Sequence, residues 1–78
     1  MQLAYSDGRP IAAVTGVLPQ RPIGNAPVEF SAQISEEGAK RLKTEPAAFY
    51  RATDGEERFT LTIDTVNNGT IAGTIRRR

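Results

Sequence analysis

The sequence predicts a small α+β domain that is mainly β. It should be an antiparallel sheet or a partly closed barrel of five to six strands carrying one short helix, in the order β-β-loop-β-α-β-β-β. Three observations carry this. Residues 27–34 alternate strictly between apolar and polar, the mark of a strand with one wet face. Turn sequences at Ser6-Asp7-Gly8-Arg9, Asp54-Gly55 and Asn68-Gly69 each separate two strand-like runs. Between the two halves, residues 35–43 read "SEEGAKRLK", the one stretch with helical signals at both ends.

At the start of the chain, "LAY" and "PIAAVTGVL" flank the first turn as a hairpin. Residues 11–18 are apolar on both sides, which suits a strand with neighbours on either edge, and Gly16 marks a bulge. The proline-rich run "PQRPIGNA" at 19–26 is the longest irregular stretch and should be extended rather than loose. In the strand that follows, Val28, Phe30, Ala32 and Ile34 share one face. Ser35 is then the N-cap of the helix, with Glu36 and Glu37 in its first turn and Lys40, Arg41 and Lys43 in its last, as the helix dipole favours. Gly38 should weaken this helix by about 1 kcal/mol relative to alanine. So short a helix forms only when docked on the sheet. Thr44-Glu45-Pro46 is a candidate start for a further helical turn through Phe49.

In the closing half, Phe59, Leu61 and Ile63 alternate with polar residues, as do Ile71, Gly73 and Ile75. A two-residue Asn68-Gly69 turn would set Ile63 opposite Thr74 and Leu61 opposite Arg76, mixing core and solvent residues on one face. A three-residue turn, Asn67-Asn68-Gly69, sets Leu61 opposite Ile75 and Ile63 opposite Gly73. Because a one-residue slip turns every side chain over, the apolar pattern selects the second register. Arg77 then falls opposite Phe59, while Arg76 and Arg78 face outward beside Thr60 and Arg58. For the hairpin around Asp54-Gly55, a two-residue loop at those residues would oppose Arg51 and Arg58; longer loops relieve that clash, and the register stays open.

Composition narrows the function. The 78 residues, 1–78, make one domain without a linker, and its core must be thin. Neither cysteine nor histidine is present, which removes disulfides, thiolate and imidazole metal ligands, cysteine nucleophiles and the usual neutral-pH base. The expectation is therefore not an enzyme, with no cofactor and no metal. The acidic run Asp54-Gly55-Glu56-Glu57 lacks the alternating oxygen ligands of a calcium loop and reads as a turn. Asn68-Gly69-Thr70 fits a glycosylation acceptor but has a turn to explain it. No apolar run is long enough to span a bilayer, and "QLAYSDGRP" after Met1 has no leader pattern, so the expected setting is the cytoplasm of a bacterial host cell.

Net charge is +1 and the isoelectric point is near 8.2, so no global field draws in a polyanion. Arginine outnumbers lysine eight to two. The expected activity is protein binding by a small non-enzymatic module. A phage or mobile-element inhibitor that occludes a host complex, in the manner of anti-defence and anti-CRISPR proteins, is the concrete form of that expectation. The alternative is a small β-barrel that binds nucleic acid through an arginine-rich face. Phe49, Tyr50, Arg51, Arg58, Arg76 and Arg78 are the candidate contact residues on the sheet, with Arg21 and Ile23 on the proline-rich loop. An open strand edge would also allow a homodimer.

Overall fold

The computed structural model describes residues Met1–Arg78. Six strands and one helix follow one another as β1 (Gln2–Tyr5), β2 (Pro10–Pro19), β3 (Val28–Ile34), α1 (Glu36–Thr44), β4 (Tyr50–Asp54), β5 (Glu57–Asn67) and β6 (Thr70–Arg77). All pairings are antiparallel, and the sheet closes on itself in the order β1-β2-β3-β6-β5-β4. The two hairpin units at the ends of the chain thus meet twice, β1 against β4 and β3 against β6. Closure corrects one expectation: a closed barrel leaves no free strand edge, so edge pairing between two copies has nothing to pair with.

Alternation along the strands fills the interior. Leu3, Val14, Phe30, Ala32, Ala52, Phe59, Leu61, Ile71 and Ile75 are all buried there. Each end is then covered by a different element. At one end lies α1, which directs Ala39 and Leu42 into the core. The Ser35 hydroxyl accepts a hydrogen bond from the Gly38 amide at 3.1 Å, as an N-cap should. At the other end the 20–27 segment lies across the barrel mouth. There the Arg77 amide donates to the Gly24 carbonyl at 2.7 Å, and Ile23 packs on the core.

Tyr5 ties the helix down. Its ring is buried, and its hydroxyl donates to the Glu45 carbonyl at 2.8 Å, just past the last helical turn. Arg9 lies over the same ring and pairs with Glu45 at 2.6 Å, so hairpin and helix end are joined by one cluster. No further helical turn follows Thr44; residues 45–49 are irregular. The Tyr5→Phe variant should lose about 1 kcal/mol of stability, read from the urea midpoint. A change within error would show that the hydroxyl does not hold the helix.

Of three register shifts in the barrel, one lies between β1 and β2 at Leu3 and Ala4, and the other two, in β2 and β5, set the faces. In β2, Gly16 and Val17 sit together opposite one residue of β3, with Gly16 at φ +58°, as its position in the sequence suggested. The second bulge amends the predicted closing hairpin. Leu61 does pair with Ile75 and Ile63 with Gly73, but the loop has only two residues, Asn68 and Gly69. The odd residue is absorbed at Asp64 instead. Beyond it Val66 pairs with Ile71 on the core side, so the bulge lets Ile63 and Val66, three residues apart, both pack on the core. The β4–β5 turn is likewise two residues, Gly55-Glu56, one position later than Asp54-Gly55. Arg51 therefore pairs with Thr60, and Arg58 with Thr53, so the two arginines are not opposed.

Candidate functional site

The outward positions of β4, β5 and β6 form a small grid. One row runs Arg51, Thr60, Arg76 across the three strands. The next holds Thr53 and Arg58, and is completed by Arg78, whose amide donates to the Arg58 carbonyl at 3.1 Å. With strands about 4.8 Å apart and two-residue steps of about 6.8 Å, four arginines are anchored in a patch about 10 Å wide. Thr60 pairs with both Arg51 and Arg76, and Thr53 with Arg58; both threonines are short and leave the longer side chains clear.

No side-chain carboxylate reaches this patch. The ion pairs of the chain are Arg9 with Asp7 and Glu45, Arg41 with Glu45, and Arg77 with Glu57; none involves Arg51, Arg58, Arg76 or Arg78. Parity is the reason. Asp54 and Glu57 stand opposite each other at the end of the hairpin, on the core-facing side of the ladder, and there Glu57 meets Arg77 at 3.4 Å. The like charges bear on one another: the Arg78 guanidinium is held below its ordinary range, first by partial desolvation and then by the charges of Arg51 and Arg58. An anion placed among them would offset the like-charge repulsion.

The remaining candidates separate cleanly. Phe49, just before β4 and two residues from Arg51, is 45% exposed. Tyr50 points the other way. It is 2% exposed, pairs across β1 with Tyr5, and its hydroxyl accepts from the Ala47 amide at 2.9 Å. As a contact residue it is corrected to a core residue. Ile23 is partly buried and packs against the core at the barrel mouth. Arg21 is exposed on the same loop, outside the strand rows, in a shallow hollow with Gln20, Pro27 and Glu29. Arg77, the middle residue of the terminal triplet, belongs to the fold. Its side chain lies over Phe59, 5.5 Å from the ring centre, and donates to the Ile23 carbonyl at 3.2 Å.

Sequence reasoning had not foreseen how completely the acids would be excluded. The threonine ladder would have given the signal. Thr53, Thr60, Thr62 and Thr74 all share the parity of the arginines, and Thr62 and Thr74 join hydroxyl to hydroxyl at 2.6 Å. A second open feature adjoins this wall. There a trough over β3, β5 and β6 holds Leu18, 68% exposed, with Asp64 and with Glu29, the ladder partner of Thr74. No helix of the chain is long and apolar enough to cross a membrane. No family model, curated protein or solved structure matches this chain.

Proposed function

We propose that this chain is a non-enzymatic binding module that engages an anionic partner through the arginine face of β4, β5 and β6. The observation that carries the reading is the set of four arginines, Arg51, Arg58, Arg76 and Arg78, gathered on one wall with no ion pair among them. Each guanidinium is a fork of donors with no acceptor of its own. Holding four together without counter-charge works against the fold, so a ligand that supplies the counter-charge is the natural reason to keep them. An occluding inhibitor of a host complex would use the same wall, because closure removes the strand edges and the 20–27 loop already covers the barrel mouth.

Face and net charge are separable by experiment. One variant replaces Arg51, Arg58, Arg76 and Arg78 with glutamine. A second replaces Arg21, Lys40 and Lys43, which lie on the loop and helix. On a sulfated-polysaccharide column the first should elute at clearly lower salt than the wild type, and the second close to it. Shifts in proportion to the charge removed, four units against three, would mean that the chain responds only to its total charge.

A further inference from the structure

We infer that the anionic partner is single-stranded nucleic acid, its phosphates held by the arginines and one base stacked on Phe49. This rests on the arginine face being the contact surface. It goes further by choosing among anions, on four observations.

The first is the lack of apolar anchors. A protein interface of useful strength needs a desolvated apolar core with its polar groups at the rim. The exposed large hydrophobic residues of the chain are Leu18 and Phe49, and Leu18, on β2, stands outside the arginine rows. Phe49 alone gives an acidic protein little to bury. A phosphate backbone needs no such core, because its affinity comes from counterion release.

The second is spacing. Arg76 lies near the end of β6 and Arg78 just past it, two residues on, and Arg58 is the neighbour of Arg78, bonded through its carbonyl. Side chains stepping about 6.8 Å along a strand match a ligand whose charges recur along a line. Between them the threonine hydroxyls both donate and accept, which suits phosphate and sugar oxygens.

Third, Phe49 stands two residues before Arg51 and is half open to solvent. An unpaired base offers it a flat π face; a base inside a duplex does not.

The fourth observation selects one strand over two. Directly beyond the Arg58 row the tip of the β4–β5 hairpin carries the exposed Glu56, while Asp54 and Glu57 stand on the other side of the ladder. A ligand wide enough to overhang the patch would bring its second row of phosphates against the Glu56 carboxylate. Nothing on this wall projects to enter a groove, since the adjoining turn is only Gly55-Glu56.

The test is fluorescence anisotropy with labelled oligo-dT, the matching duplex and polyglutamate, each at two salt concentrations. Oligo-dT should bind in the micromolar range, with a log–log salt slope of about −2 to −3. Arg58→Ala with Arg78→Ala should weaken it by at least about tenfold. Phe49→Ala should cost about fivefold on oligo-dT and nothing on polyglutamate. The pair Arg58→Lys with Arg78→Lys keeps the charge without the fork and should fall between wild type and the alanine pair; it also serves if the alanine pair melts early. Polyglutamate or duplex binding as tight as oligo-dT, lost with the same arginines but indifferent to Phe49, overturns the single-strand inference and leaves the anionic face standing. Binding of all three ligands that ignores the arginine substitutions, or no binding at all, overturns both.

Discussion

Gly73→Ala should lose at least about 3 kcal/mol of folding stability. Gly73 sits opposite Ile63, one pair before the Asp64 bulge brings β5 in close. A methyl group built there falls on the carbonyl oxygen of Thr62, 2.8 Å from its carbonyl carbon and 2.9 Å from the Ile63 Cα. These are backbone atoms, and no rotamer change can move them aside. The strands must part, which breaks the ladder between the two elements that hold Leu61, Ile71 and Ile75 in the core. A domain of this length has only about 4–12 kcal/mol in all, so the melting temperature should fall by more than about 12 °C. A variant melting within a few degrees of wild type would mean that β5 does not approach β6 as described.

Gly38→Leu should cost about 3 kcal/mol, although leucine is much the better helix former. The helix axis lies so close to the barrel that a Cβ at 38 would meet the Ala12 methyl at 2.7 Å and the Ile34 side chain at 2.8 Å. The Ile34 tip can rotate, but Ala12 is fixed to β2. A larger side chain therefore lifts α1 and exposes Ala39 and Leu42, the two residues that plug that end. Far-ultraviolet circular dichroism should show helix lost before strand on heating. A gain in stability would instead show propensity outweighing docking, the balance expected from the helix alone.

That reversal shows where the sequence was legible and where it was not. Alternation named the faces of β3, β5 and β6 correctly because each strand has one wet side, and a slip would have buried threonine and exposed leucine. The same pattern set Leu61 against Ile75 but could not place the extra residue. A longer turn and a bulge satisfy one apolar pattern equally well, and only β6 packed against β5 at Gly73 distinguishes them. Gly38 looked like a defect, since a single sequence shows the lost propensity and not the surface the helix rests on. Arg51, Arg58, Arg76 and Arg78 were readable as outward residues. Their freedom from carboxylates was not, because it depends on where the β4–β5 turn falls, and the turn lies one residue beyond its Asp-Gly signal.

Backbone amide shifts recorded by nuclear magnetic resonance during titration with oligo-dT test the central claim, that the β4–β5–β6 wall is the contact surface. The account predicts the largest changes at Arg51, Arg58, Thr60, Arg76 and Arg78, with Phe49 responding beside them, and little movement at Lys40, Lys43 or Arg21. Changes centred on the helix or the 20–27 loop, with the arginine rows silent, would contradict it.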